Sequence, residues 1–226
     1  MGLSPRRPIQ RFTAIPNNVD PHPPMTPTIH TPVHLPRWEW RTIASSLRDL
    51  RGALSGVRID MVRNIRETYL LCDKSNHNAK IREGLMDLKW RKQVDRFGLE
   101  LWDPVFKSTF PCELETILQL FGGWGIPVPL LERESYSQRE FLDEVIVPHP
   151  DLKAVEVAKV REGFVLDGTT CELVRLEVAG MELESFCVEH EDPLLVLQVM
   201  KNLGLDTRQN VNYPMGLKNA LARRAA

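Results

Sequence analysis

Two separate stretches of the sequence carry the residues best suited to binding or transforming a ligand. In the first, Asn78 to Gln93, charged residues recur at alternate positions: Lys80, Arg82, Asp87, Lys89 and Arg91. In the second, Cys187 to Asp192, Glu189 and Glu191 are two residues apart. Lysine and arginine side chains bind phosphate groups, and carboxylates bind the divalent cations that accompany polyphosphates. The two stretches together indicate a site for a metal-bound polyphosphate.

The first stretch predicts a β-hairpin with its turn at Glu83-Gly84. The predicted register places three pairs opposite one another: Arg82 and Leu85, Lys80 and Asp87, and Asn78 and Lys89. Since strand side chains alternate between two faces, the charged residues share one face. The other face is apolar and carries Ala79, Ile81, Met86, Leu88 and Trp90. The second stretch alternates in the same way, with both glutamates on one face.

The composition is that of an ordinary globular domain. The chain has 226 residues, of which 42% are hydrophobic and 26% charged, enough for a hydrophobic core without disulfides. The net charge of −1 argues against a general nucleic-acid binder, because such proteins present a broad basic surface. The cysteines show no metal-ligand spacing, which favours reduced, buried thiols.

The expected location is the cytoplasm. No apolar run approaches the roughly 20 residues of a membrane helix, so no membrane partner is expected. Arg6, Arg7 and Arg11 make the start basic, but it lacks the apolar segment of a secretory signal. Import into an organelle is the alternative.

The first 34 residues are rich in proline and show no apolar periodicity, which predicts a disordered or extended arm. Residues 35 to 226 then predict a single domain. Strands are expected at 37–41, 57–72, 78–93, 99–110, 154–166, 171–178 and 181–191. Helices are expected at 43–54, after Pro111 as far as Gly122-Gly123, after a Ser137/Glu140 capping box, after Asp192, and near 215–224.

These elements predict an α+β fold with about eight mostly antiparallel strands. Several strands are charged on one face and apolar on the other, and the apolar faces need a cover. If helices cover them from outside, the charged faces line the interior of a closed or nearly closed eight-stranded antiparallel β-barrel. A barrel of this size can hold a ligand in a polar interior.

The order of these motifs resembles the CYTH domain of the triphosphate tunnel metalloenzyme superfamily. Arg37-Trp38-Glu39-Trp40-Arg41 corresponds to the family's first-strand Glu-x-Glu-x-Lys motif, with Arg37 in place of the first glutamate. The family's basic strands resemble Lys80/Arg82, Lys89/Arg91 and Lys159/Arg161. Its late Glu-x-Glu resembles Glu189-His190-Glu191, and the resemblance spans roughly residues 35–205.

The resemblance implies metal-dependent hydrolysis of an inorganic or organic triphosphate inside a basic tunnel, and it also allows cyclisation of ATP. It implies that Glu39, Glu189 and Glu191 hold Mg²⁺ or Mn²⁺ and take part in catalysis. The implied phosphate-binding residues are Arg41, Lys80, Arg82, Lys89, Arg91, Lys159 and Arg161. Cations that clamp phosphates stabilise the charge that develops during hydrolysis.

Three alternatives remain open. Arg37 in place of a glutamate suggests a module that binds triphosphate or polyphosphate, in a regulatory role, without metal chemistry. The charged face could instead meet a protein partner, with the Pro-rich arm as a docking segment. In the simplest interpretation, the basic faces are solvated sheet surface and Glu189/Glu191 are a charged strand end before a helix.

Overall fold

Ten strands, numbered in chain order, are found in the computed structural model, which describes residues 35–225. They are β1 (Arg37–Ala44), β2 (Met61–Cys72), β3 (Ser75–Arg82), β4 (Leu85–Val94), β5 (Glu100–Thr109), β6 (Cys112–Glu113), β7 (Ser135–Tyr136), β8 (Leu152–Leu166), β9 (Thr169–Val178) and β10 (Met181–His190). Eight of them form a closed antiparallel barrel in the order β1-β10-β9-β8-β2-β3-β4-β5, and β6 pairs with β7.

Helices lie around this barrel. They are α1 (Arg48–Ala53), α2 (Leu114–Trp124), α3 (Gln138–Glu140) with a π-helical continuation Phe141–Ile146, α4 (Pro193–Asn202) and α5 (Tyr213–Ala225). The predicted α+β fold with a closed eight-stranded barrel is confirmed. The predicted Pro-rich arm lies outside the described residues. None of the helices in residues 35–225 has both the length and the apolar composition needed to cross a membrane.

The β3–β4 hairpin forms in the predicted register, with Lys80 opposite Asp87 and Arg82 opposite Leu85. Glu83 and Gly84 both have positive φ, 53° and 72°, which is the geometry of the tight hairpin turn that matches strand twist. This turn fixes the alternation of the hairpin, so its charged and apolar residues fall on opposite faces of the barrel wall.

Two predicted helix boundaries are wrong. Ile43 stays in β1, where it pairs with Ser185 of β10, and α1 begins only at Arg48. Helix α2 continues through Gly122 and Gly123 instead of ending there. A Cβ at Gly123 would lie 2.5 Å from the Trp90 indole nitrogen, so glycine here permits close helix–strand packing rather than ending the helix.

Two predicted helix starts are confirmed. Ser137 and Glu140 form a reciprocal capping box at α3. Asp192 accepts a hydrogen bond from the Leu194 N–H at the start of α4, where Pro193 occupies the first helical position. The start of α4 thereby follows directly from the end of β10, the strand that carries Glu189.

The outer face of the barrel packs against helices. Ile81, Met86 and Leu88 of the hairpin are buried against Ile117 and Phe121 of α2. A second cluster joins the outward residues of β1 and β10 to α1 and α4: Trp40, Phe186, Val188, Leu50, Val196 and Val199. Each fully buried large apolar side chain contributes about 1.5–3 kcal/mol. The helices therefore cover the apolar faces from outside, which leaves the charged faces of β3 and β4 inside.

One end of the barrel interior is apolar, which the sequence interpretation missed. Tyr69 and Leu71 of β2 and Val157 of β8 pack there against Tyr213 and Leu217 of α5. Helix α5 is attached by Lys218, whose ammonium donates to the backbone carbonyls of Cys72 and Ser75, each at 3.0 Å. Strands β2 and β8 continue past their charged inward residues into this apolar end, which α5 covers.

Candidate functional site: the barrel interior

The charged layer of the interior contains more cations than carboxylates. The structure places every predicted phosphate-binding residue on this inner surface, together with Arg37. By register, the inward cations are Arg37, Arg41, Arg63, Lys80, Arg82, Lys89, Arg91, Lys107, Lys159 and Arg161. The inward carboxylates are Glu39, Glu67, Asp87, Glu100, Glu172 and Glu189. We call this layer the tunnel.

A single buried carboxylate organises one side of the tunnel. The Glu67 side chain is 0% exposed, and its Oε1 accepts hydrogen bonds from Lys80 Nζ at 2.8 Å and Arg82 Nη1 at 3.5 Å. Its Oε2 accepts one from Lys159 Nζ at 2.6 Å. Three cations thus share one carboxylate, and we call these four residues the Glu67 cluster. Asp87 lies opposite Lys80 in register and acts on its charge, so the three cations face two carboxylates and one positive charge is left over.

Aromatic rings enclose the ammonium group of Lys159. Its Nζ lies 3.8 Å from the Tyr213 ring centroid and 4.6 Å from that of Tyr69, and it donates to Tyr69 Oη at 2.6 Å. Rings attract cations through their negative faces, an effect that grows when the pair is removed from water. These contacts help to keep a cation at a position that is only 3% exposed.

Burial and neighbouring charges change the pKa values of the Glu67 cluster. Burial acts to raise the pKa of the Glu67 carboxyl, but the ammonium groups of Lys80 and Lys159 outweigh it and hold that pKa far below its ordinary value. Burial lowers the pKa of Lys159 well below that of an ordinary lysine, with Lys80 adding repulsion and Glu67 opposing the change. Burial also lowers the pKa of Lys80, again against Glu67.

A row of inward carboxylates crosses three neighbouring strands, β10, β1 and β5. Glu39 of β1 pairs in register with Glu189 of β10 on one side and Glu100 of β5 on the other. We call Glu189, Glu39 and Glu100 the carboxylate row. Residues in register on adjacent antiparallel strands have Cβ atoms roughly 4.5–5.5 Å apart, where like charges destabilise the sheet.

Each member of the carboxylate row is bound by its own arginine. Arg37 Nη1 donates to Glu189 Oε1 at 3.2 Å, and Arg41 Nε donates to Glu39 Oε1 at 2.9 Å. Arg91 Nη1 donates to Glu100 Oε1 at 2.9 Å. These three ion pairs offset the repulsion within the row.

Two of these ion pairs have further partners, the Arg41–Glu39 pair through Arg41 and the Arg91–Glu100 pair through Glu100. Arg41 Nη1 donates to Ser185 Oγ at 3.1 Å, and its guanidinium carbon lies 4.3 Å from the Tyr213 ring centroid. Glu100 also accepts from Asn212 Nδ2 at 2.8 Å. Burial acts to raise the pKa of Glu39, but the charge and hydrogen bond of Arg41 outweigh it and lower that pKa. The Glu39 and Glu100 pairs are therefore part of the folded framework.

The predicted metal site of Glu39, Glu189 and Glu191 is not assembled. Glu39 and Glu189 are in register, but Glu191 lies beyond the end of β10 and is exposed. Among residues 35–225, no three His, Cys, Asp or Glu side chains converge in an arrangement that could hold a metal ion. Since Glu39 and Glu189 each bind a guanidinium, the donor set does not fit Mg²⁺ or Mn²⁺.

Sequence reasoning missed several tunnel residues. Glu67, Glu100 and Glu172 all face inward, and Glu172 forms an ion pair with Arg161. Tyr213 reaches the tunnel from α5, far along the chain. The alternation of Glu67, Tyr69 and Leu71 within the predicted strand was the available signal. It was weak because that strand has polar residues on both faces, so its inward face could not be identified.

An open groove of about 810 Å³ runs alongside β2, β8, β9 and β10 next to α1, and its lining includes Lys159 of the Glu67 cluster. Its lining includes Arg51, Arg175 and Glu184, so both charge signs are present. Arg51 is already paired with Glu184 at 2.7 Å and with Glu162 at 3.0 Å. The arginines of this groove lie among three carboxylates, Glu177, Glu182 and Glu184, whereas the Glu67 cluster gathers three cations around one carboxylate.

No protein-family model and no curated protein sequence matches the chain. Several solved structures are similar to it. A protein from Pyrococcus horikoshii is 17% identical, with 81% of this chain and 99% of that chain covered and a TM-score of 0.44. A putative adenylate cyclase from Bacillus halodurans is 13% identical, with 77% of this chain and 93% of that chain covered and a TM-score of 0.42.

A putative adenylyl cyclase from Hippeastrum, described as having a dominant triphosphatase activity, is 12% identical, covering 75% of this chain and 88% of its own, with a TM-score of 0.40. These values describe remote similarity to those proteins. What the tunnel of this chain binds is therefore inferred from its own side chains.

Proposed function

We propose that the tunnel binds a small phosphate-rich anion of the triphosphate or polyphosphate class. The observation that supports this proposal is the Glu67 cluster, in which three cations share one carboxylate. An anion placed beside these cations would supply the missing negative charge. Phosphate oxygens suit this role because they accept several charge-assisted hydrogen bonds at once, and arginine can bind them in a bidentate manner.

The burial of the Glu67 cluster strengthens its attraction for an anion. Glu67 and Lys159 are removed from water, and the attraction between charges grows as the local dielectric falls. Arg82 and Lys80 are partly accessible, with side chains 29% and 17% exposed, so part of each cation is open to a ligand. A ligand with several linked phosphates would contact these residues together, whereas a single phosphate would contact fewer of them.

The test is calorimetric titration of the protein with tripolyphosphate, in parallel with sulfate as a compact anion. We expect tripolyphosphate to bind and the Lys80→Ala/Arg82→Ala variant to lose about tenfold or more in affinity. The matched control is Lys74→Ala/Arg58→Ala, which removes two exposed cations outside the tunnel. Equal losses in both variants, or no binding by the wild type, would contradict the proposal. No binding would favour the alternative of a protein-interaction domain.

Metal-dependent hydrolysis of the bound triphosphate, which the sequence resemblance implies, would require a divalent cation to displace Arg37 from Glu189 or Arg41 from Glu39. It is tested by phosphate release from tripolyphosphate, ATP and thiamine triphosphate with Mg²⁺, Mn²⁺ or EDTA. Phosphate release that requires metal and disappears in the Glu189→Gln/Glu191→Gln variant would support metal-dependent hydrolysis at these carboxylates. Binding without release would identify a binding module.

A further inference from the structure

We infer that Arg37 takes the place of a divalent cation at the carboxylate row, so that the tunnel binds the metal-free form of its anionic ligand. This inference rests on the proposed function for the identity of the ligand, and on the geometry of the row for the exclusion of metal. It makes Arg37 a specificity-determining residue, one that selects the free anion over its magnesium complex.

The carboxylates of the row are neutralised by their arginines. The carboxylate row contains one inward carboxylate on each of three adjacent strands, and each carboxylate is hydrogen-bonded to one guanidinium group. The three carboxylates and three arginines therefore have no net charge. Lys80 and Lys89 also act on Glu39 and make its surroundings positive. A divalent cation that enters this region meets no net attraction and must displace a guanidinium to reach an oxygen.

Arg37 is the most exposed of the three arginines that bind the row. Arg41 is held by Ser185 and Tyr213 as well as by Glu39, and Glu100 is held by Asn212 as well as by Arg91. Arg37 has a 45% exposed side chain and a single bond of 3.2 Å to Glu189, which is 24% exposed. The Arg37–Glu189 pair is therefore the accessible member of the row, where a metal could enter if the arginine were absent.

The charge of a polyphosphate ligand depends on whether it carries a divalent cation. A divalent cation bound to a polyphosphate cancels two of its negative charges and occupies some of its oxygens. The Glu67 cluster offers excess positive charge, which pairs more favourably with the fully charged anion. Excess Mg²⁺ should therefore compete with the protein for the ligand and weaken binding, whereas a metal-dependent site would bind more tightly with Mg²⁺ present.

The first measurement is Mn²⁺ binding to the whole chain without ligand. Binding is monitored through the loss of the free-Mn²⁺ signal in electron paramagnetic resonance. Arg37→Glu releases Glu189 and adds a carboxylate, and we expect it to bind Mn²⁺ about tenfold or more tightly than the wild type. Arg66→Glu is the control, since it makes the same charge change at an exposed residue of β2. Wild-type binding that is as tight as that of Arg37→Glu and is lost in Glu189→Gln would overturn the inference.

The second measurement is tripolyphosphate titration in EDTA and in excess Mg²⁺. We expect the wild type to bind more weakly in Mg²⁺ and Arg37→Glu to show the opposite preference. Wild-type binding that requires Mg²⁺ would overturn the inference while leaving the proposed ligand class intact. If the wild type binds tripolyphosphate in neither condition, the proposed function fails, and the Mn²⁺ measurement still decides whether Arg37 excludes metal.

Thermal melts of each variant in EDTA show whether it is folded. Should Arg37→Glu fail to fold, Arg37→Gln provides the same test in weaker form, because it frees Glu189 without adding a charge. Tighter Mn²⁺ binding by Arg37→Gln than by the wild type would support the inference, and unchanged binding would count against it.

Discussion

Lys159 Nζ lies 2.6 Å from Glu67 Oε2, inside a barrel wall where both side chains are almost fully buried. Two charges removed from water are costly, and this pair is tolerated because Lys80, Arg82 and Tyr69 satisfy the remaining hydrogen-bonding capacity. The same arrangement leaves the cations around Glu67 in excess. Stability and ligand binding therefore make opposite demands on Glu67.

Removing the Glu67 charge should lower stability and raise anion affinity together. Glu67→Gln leaves three cations without their shared carboxylate, and breaking a buried ion pair costs about 3–5 kcal/mol. The freed positive charge should increase tripolyphosphate affinity by about tenfold. Urea denaturation and calorimetry measure the two effects. The control is Glu156→Gln on exposed β8 surface, and a Glu67→Gln variant that loses stability and affinity together would contradict this prediction.

The low pKa of Glu67 predicts acid sensitivity. Burial acts to raise that pKa but the flanking lysines lower it, so the folded value lies well below the unfolded value of about 4.3. A carboxyl with a lowered folded pKa contributes its stability above the unfolded pKa and loses it as pH falls toward the folded pKa. Denaturation at pH 7, 5 and 3 should show the stability difference between wild type and Glu67→Gln shrinking below about pH 4. Parallel curves would refute this assignment.

The affinity of the tunnel for a phosphate anion should fall as the pH rises and Lys159 loses its proton. Burial and the Lys80 charge lower the pKa of Lys159 well below its ordinary value, so Lys159 loses its proton at a pH where exposed lysines keep theirs. Binding a phosphate anion requires that proton, and affinity should fall by up to about tenfold per pH unit above the pKa. Lys159→Arg stays charged and should flatten the dependence between pH 7 and 10. Calorimetry at matched ionic strength compares the two proteins, and identical slopes would rule out Lys159 as the titrating group.

Helix α5 should be sensitive to one added methyl group. A Cβ at Gly216 would lie 2.4 Å from Ile43 Cδ1 inside the barrel end. Overpacking costs about 1–3 kcal/mol and the better helix propensity of alanine returns roughly 1 kcal/mol, so Gly216→Ala should destabilise the protein by up to about 2 kcal/mol. Valine lacks the clashing Cδ1, so Ile43→Val in the same chain should recover most of that loss. Thermal and urea unfolding of the single and double variants measure the recovery of stability. Losses of stability that simply add in the double variant would show that the two residues do not contact each other.

Local patterns in the sequence were sufficient to predict much of the wall of the barrel. The Glu83-Gly84 turn and the alternation around it predicted the hairpin register, because a two-residue turn leaves only one way to pair the flanking strands. The caps at Ser137 and Asp192 were equally local. The glycine pair at 122–123 was misread because Trp90, which explains Gly123, is distant in sequence.

The sequence by itself determined which residues share a face of each strand, and hence that Arg41, Lys80, Arg82, Lys89, Arg91, Lys159 and Arg161 belong to a charged surface. Only the tertiary structure decided which carboxylates meet them. Glu67, Glu100 and Arg37 acquire their partners through the register of neighbouring strands and the closure of the barrel. Alternation within a strand is a short-range steric property, whereas ion pairs across a barrel depend on contacts between residues up to 152 positions apart.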